Sequence, residues 1–166
     1  MKKINLLKTV AVLFFAVFAL SSCEEDGEIQ FIVVDEFESN AVVTGLNTAT
    51  AFETSSTTNI SDLLENASEF IEAEIEKVTL TLQDDYSGDA VTGDFDITVG
   101  PINLKQTLTL TKGEGVEVVV PASASSILSV INSGVFPYVI KADFTSSPGD
   151  DNFTINLKFK IKATVE

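Results

Sequence analysis

Phe153-Thr154-Ile155-Asn156-Leu157-Lys158-Phe159-Lys160-Ile161-Lys162-Ala163-Thr164-Val165 alternates apolar and polar side chains without interruption. Successive side chains of an extended chain point to opposite faces, so a period of two buries one face and wets the other. That is the pattern of an antiparallel strand in a sandwich or barrel, where one face packs on the core. Working back from it, Ile29 to Phe37, Val78 to Gln83, Val91 to Val99, Ile102 to Thr111, Val116 to Val120 and Tyr138 to Phe144 follow the same logic. Between these runs lie residues that tolerate tight or left-handed backbone: Asp84-Asp85-Tyr86-Ser87-Gly88-Asp89, Gly100-Pro101, Lys112-Gly113-Glu114-Gly115 and Ser146-Ser147-Pro148-Gly149-Asp150-Asp151. The last joins two long alternating runs and is expected to close a hairpin.

Two segments carry a helical period instead. Ile60, Leu63, Leu64, Ala67, Phe70 and Ile71 recur at spacings of three and four and predict a helix from Ser61, with Glu65, Glu69 and Glu72 outward. Pro121 to Asn132 predicts a second, short one, with a proline suited to a first turn, Ile127, Leu128 and Ile131 on one side and Gly134 as the stop. Residues 38 to 59, rich in Thr, Ser, Ala and Asn, read equally as irregular strands or a long loop. Short strands at regular intervals predict an all-β, mainly antiparallel fold: a β-sandwich, with an Ig-like arrangement among the options and one or two short helices in the connections. A closed barrel is the alternative.

No repeat, long linker or low-complexity block divides the chain, and 166 residues suit one folded unit. Its ends differ in charge. Lys2, Lys3 and Lys8 precede an apolar core from Val10 to Leu20, and every Asp and Glu follows Cys23. Removing the first 22 residues leaves seven lysines against 25 acids, a charge of −18, with no Arg. Such a surface repels phosphate backbones and anionic headgroups, and without Arg it has no bidentate clamp for carboxylate or phosphate. Nucleic acid is therefore not an expected partner.

A basic start, an apolar core too short to span a bilayer and small residues at its end form the order of a secretory leader. At its end, Leu20-Ser21-Ser22-Cys23 resembles the bacterial lipobox, in which Leu three places before the Cys and small residues between them fit the lipoprotein signal peptidase. The resemblance implies cleavage before Cys23 and attachment of lipid to its thiol. Glu24-Glu25-Asp26-Gly27-Glu28 is similar to the acidic patch after the lipidated cysteine in surface lipoproteins of the Bacteroidota, implying export to the outer membrane or cell surface on a tether formed by Glu24, Glu25 and Asp26. The expected organisation is a signal peptide at 1–22, an acylated cysteine and tether at 23–28, and a single β-rich domain at 29–166.

The residue inventory narrows the chemistry. There is no His, and the one Cys is the expected lipid site. That removes the usual general base, the Ser-His and Cys-His pairs and the common nitrogen and sulfur metal ligands. No phosphate-binding glycine loop is present, since Lys112-Gly113-Glu114-Gly115 has neither the spacing nor a following helix. Carboxylate pairs remain, but 25 acids place some pair at almost any distance by chance. Enzyme activity is not expected.

Oxygen ligands suit calcium, and Asp84, Asp85 and Asp89 are the candidates, with Asp94 and Asp96 nearby and Asp143, Asp150 and Asp151 around another turn. None of these forms an EF-hand loop. For a glycan platform only Tyr86 and Tyr138 and a few Phe are available. Tyr86, in an acidic turn, is expected near the surface, and Tyr138 in core or rim packing. The expectation is a lipid-anchored, non-enzymatic envelope lipoprotein acting as a structural or protein-interaction module, attached to a membrane and open to an envelope protein partner. The alternative is a calcium- or glycan-binding module at the cell surface; a lipid-carrying barrel would instead require a large apolar cavity.

Overall fold

The computed structural model describes residues 31–46, 49–60, 70–122 and 126–165. Eight strands appear in chain order: β1 (Phe31–Thr44), β2 (Ala51–Asn59), β3 (Phe70–Leu82), β4 (Ala90–Val99), β5 (Ile102–Thr111), β6 (Gly115–Val118), β7 (Val135–Phe144) and β8 (Asn152–Val165). A single helical turn, α1 (Leu128–Ile131), precedes β7. All pairings between strands are antiparallel, and they form two four-stranded sheets, β1-β8-β3-β6 and β2-β7-β4-β5.

The pairings nest. β4 pairs with β5, β3 with β6, β2 with β7 and β1 with β8. The chain is thus one long hairpin, doubled back at Gly100-Pro101 and rolled so that alternate layers fall into opposite sheets. Pairing of β8 with β3 and of β7 with β4 then completes each sheet. This is the strand order of an eight-stranded jelly roll. In an immunoglobulin domain the first two strands lie side by side in one sheet; here β1 and β2 belong to opposite sheets, so the Ig-like option is corrected. Each sheet keeps two edge strands, so the sandwich is not a closed barrel.

Among the described strands only β4 and β5 are joined within one sheet. Their two-residue turn has Gly100 at φ +52, and a Cβ there would meet the Val130 side chain of the α1 segment at 2.6 Å. The connection at 145–151 corrects the expected hairpin: β7 and β8 lie in opposite sheets, and it crosses between them. Turn residues mark where the chain reverses, but not whether it returns in its own sheet or the facing one.

Both inner faces fill one core. Ile155, Leu157, Phe159 and Ile161 of β8 and Ile75, Val78, Leu80 and Leu82 of β3 meet Phe136, Tyr138, Ile140, Ala142 and Phe144 of β7 and Phe95, Ile97 and Val99 of β4. At about 25 cal/mol per Å² of apolar surface removed from water, this burial is the main force holding the sheets together. No buried side-chain nitrogen or oxygen among the described residues lacks a hydrogen-bond partner.

At Gly93 the close neighbour is backbone. This glycine faces inward on β4, paired with Leu108 on one side and Phe144 on the other, and a Cβ would lie 2.7 Å from the Asp143 carbonyl oxygen. The obstacle is backbone, which cannot swing aside. Gly93→Ala is expected to lower stability by about 1–3 kcal/mol, as overpacking does. The check is a lower urea midpoint at unchanged slope.

Three further expectations change. Residues 61–69 of the first predicted helix lie outside the described residues, but Phe70 and Ile71, assigned to the same stripe, open β3. The inward positions of β3 are Phe70, Ala73, Ile75, Val78, Leu80 and Leu82, because register shifts fall between Phe70 and Glu72 and between Ile75 and Lys77. A bulge adds one residue to a period of two and so produces a helix-like step of three. Of the predicted helix at 121–132, the described part is α-helical only at Leu128–Ile131, with Ala122 in a 3-10 conformation, while Ser126 makes a strand-like bridge to Glu74. Of the stretch 38–59, open between strands and loop, residues 38–44 complete β1 and 51–59 form β2.

Candidate functional site

The residues expected to carry the anchor, Leu20, Ser21, Ser22, Cys23, Glu24, Glu25 and Asp26, lie outside the described residues. The calcium candidates lie inside them, in the loop between β3 and β4. Asp85 is committed to β8: its carboxylate accepts hydrogen bonds from the Thr154 amide at 3.1 Å and hydroxyl at 2.7 Å. Asp84 is exposed, and Asp89 uses its backbone carbonyl to accept from the Lys112 amide at 2.9 Å. Among the described residues, no group of three or more His, Cys, Asp or Glu side chains is arranged to hold a metal ion.

This loop is a clasp. Tyr86, expected at the surface, is only 4% exposed; its ring packs on Phe153 at a centroid distance of 5.0 Å. Its hydroxyl donates to the Pro148 carbonyl at 2.8 Å, and Lys112 Nζ donates to the Tyr86 carbonyl at 2.9 Å. The Ser87 hydroxyl donates to Asp150 at 2.7 Å, and the Ser87 amide donates to the other Asp150 oxygen. Three connections, 83–89, 112–114 and 145–151, are thereby tied at one end of the sandwich. Burial, reinforced by the Asp150 charge, pushes the Tyr86 phenol above its ordinary value. Tyr138 is buried in the core, as expected, with its hydroxyl donating to Ser39 at 2.9 Å.

The two Ser87 donors hold the Asp150 carboxyl below the usual range. A carboxyl depressed by folding contributes stability above its unfolded value of ~4, and that contribution disappears as pH falls through the folded value. Asp150→Asn is therefore expected to lower stability near neutrality, with the gap from the parent narrowing below about pH 4. Urea midpoints measured across the acid range will show whether the two curves converge.

The outer face of the β2-β7-β4-β5 sheet bears an open depression of about 730 Å³. Two rows cross its floor. One carries Ala51, Asp143, Asp94 and Thr107; the next carries Glu53, Lys141, Asp96 and Lys105. In the second row, Lys141 pairs with Glu53 at 2.9 Å and Lys105 with Asp96 at 3.0 Å. Burial works against ionisation of Asp96, but hydrogen bonds from Lys105 and Asn103 outweigh it and leave its carboxyl below the ordinary value. In the first row Asp94 and Asp143 stand directly opposite, a like-charge pair that costs stability; Thr107 donates to Asp94. The floor offers paired charges and hydroxyls, with no imidazole, thiol or exposed aromatic platform.

The outer face of the other sheet is a charge ladder. Lys158, Lys160 and Lys162 of central β8 pair with Glu36, Glu76 and Glu74 at 2.7, 3.0 and 3.6 Å, and Lys77 pairs with Glu117. The Lys158 ammonium draws the Glu36 carboxyl below its usual value. These pairs are solvent-exposed, so each is worth at most about 1 kcal/mol. Every lysine after Cys23 is thus engaged by an acid or a backbone carbonyl of the same chain. Sequence reasoning missed the partners of Lys112, Asp85 and Asp150 because all three are reached across loops distant in the chain.

Among the described residues, no helix is long and apolar enough to cross a membrane. No protein-family model matches the chain, and no curated protein does. Among solved structures it is similar to a chain titled Desmodium yellow mottle tymovirus, at 11% identity over 99% of this chain and 96% of that one, with a TM-score of 0.38. A likeness of that strength carries no argument about what this chain does.

Proposed function

We propose that this chain is a lipid-anchored, non-enzymatic lipoprotein of the outer membrane or cell surface, whose β-sandwich is a structural or protein-interaction module. The observation that carries the reading is Leu20-Ser21-Ser22-Cys23 closing the apolar segment that begins at Val10. Diacylglyceryl transfer to the Cys23 thiol followed by cleavage before it would leave the acidic residues 24–28 as a tether. At about 0.8 kcal/mol per buried methylene, two or three acyl chains hold a folded domain at a bilayer essentially permanently.

The rest of the chain supports a non-catalytic role. It has no His, and two of its acidic turn residues, Asp85 and Asp150, are engaged in holding loops together. In the open depression Glu53 and Asp96 are paired with lysines and Asp94 accepts from the Thr107 hydroxyl.

In the bacterial envelope the intact chain is expected almost wholly in the membrane fraction, its N-terminal peptide carrying fatty acyl mass on Cys23. Cys23→Ala is expected to remove the acyl mass and to abolish membrane retention of the processed protein. A native product with a free thiol at Cys23, or one that keeps Met1, overturns the proposal.

A further inference from the structure

We infer that the anchored domain stands on the bilayer with the α1 and β4–β5 turn end toward the membrane and the clasp end pointing away. The inference rests on the lipid-anchored reading above and adds an orientation to it. β1 begins at Phe31, paired with Val165, which also pairs with Phe70, so these three chain positions share one end of the sandwich. Asn132, just after α1, binds the Phe70 backbone through its side-chain amide, at 3.2 Å to the amide and 3.0 Å to the carbonyl. Val130 of α1 in turn lies against Gly100. The Tyr86 clasp occupies the opposite end, where Thr44 pairs with Asn152 and Leu82 with Ile155.

Reach decides between the two upright orientations. The eight steps from Cys23 to Phe31 span at most about 29 Å even when fully extended. β1 has 14 residues, a rise of about 44 Å at strand spacing. With the clasp end against the bilayer, Phe31 would stand farther from the lipid than the tether can stretch. Lying flat would press one charged sheet face or the other against the headgroups, stripping water from ion pairs that gain little from each other.

The described residues of the α1 end, Ile60, Gly100, Pro101 and 127–134, include no charged side chain. Asp62, Glu65 and Glu69 belong to the neighbouring connection in sequence and lie outside the described residues. The clasp end carries Asp84, Asp85, Asp89, Glu114, Asp150 and Asp151 against Lys112 alone. Asp62, Glu65, Glu69 and Glu166 adjoin the α1 end in sequence, so charge does not separate the two ends and reach alone sets the orientation.

The test uses the full chain, processed in the cell, purified from membranes and reconstituted in phosphatidylcholine vesicles containing a nitroxide-headgroup lipid. Ser129 and Ser147, at opposite ends, are changed separately by Ser129→Cys and Ser147→Cys and labelled with a fluorophore. The expected result is co-flotation of both variants with the vesicles and severalfold stronger quenching at position 129. Flotation with equal or reversed quenching overturns the orientation and leaves the anchor standing. Failure of either variant to float overturns the anchor, and the orientation with it.

Discussion

Phe159→Ala is expected to lower the stability of the domain by about 3–5 kcal/mol, the range for truncating a large buried aromatic. Phe159 is fully buried at the middle of β8, a central strand paired with both β1 and β3. Its ring lies 4.9 Å from Phe136, 5.3 Å from Phe37 and 5.6 Å from Tyr138, between centroids. Phe136 and Tyr138 belong to the facing sheet, so removing the ring opens a void where the sheets meet, and three aromatics lose a partner at once. For a domain of this size the melting temperature is expected to fall by roughly 10–20 °C. A thermal melt of the two proteins, with circular dichroism to establish that the variant still folds, checks the figure. A loss below about 1 kcal/mol, far under the range for such a truncation, would mean that the sheets do not meet around this ring.

Tyr86 is expected to matter nearly as much, although it sits in an acidic turn. Tyr86→Ala removes a ring buried against Phe153 together with the hydrogen bond to Pro148, and a loss of about 3–5 kcal/mol is expected. Tyr86→Phe keeps the ring and deletes only the hydroxyl, leaving the Pro148 carbonyl one donor short, at a cost of about 1 kcal/mol. The difference between the two variants separates packing from hydrogen bonding. Chemical denaturation of both measures it directly. Were Tyr86 exposed, as its neighbours in sequence suggest, both substitutions would be nearly silent.

Legibility follows the source of the ordering force. β5 is legible at Ile102 to Thr111, its observed bounds, because Leu and Ile alternate there with Asn, Lys and Thr, and a proline precedes it. β2 has almost no such signal. Thr54, Ser56 and Thr58 face inward but are polar, so only Phe52 marks the inner face of Ala51–Asn59, and the strand depends on the ladder that β7 supplies. β3 is only half legible, since two register shifts turn its period of two into steps that resemble a helix. The burial of Tyr86 is hidden from local reading because the partners that bury it, Phe153 and Pro148, are more than 60 positions away in the chain.

The candidate sites divide in the same way. The proposed anchor at Cys23 rests on local order alone, on Leu20, Ser21 and Ser22 directly before it at the end of an apolar run. The acids around Asp84 and Asp150 are visible as turn residues, but whether they converge on an ion or on Ser87 and Thr154 depends on which loops lie side by side.

By itself, the order of residues determined that most of this chain forms half-buried antiparallel strands, because side-chain alternation is local and each strand carries its own. It determined also the acidic character of the residues beyond Cys23. Only the tertiary structure decided that the strands nest into a rolled hairpin and that the segment at 145–151 crosses between sheets. The packing of Tyr86 inward was settled at that same level. Those choices are made by burying two inner faces against each other, a collective free energy that no single segment records.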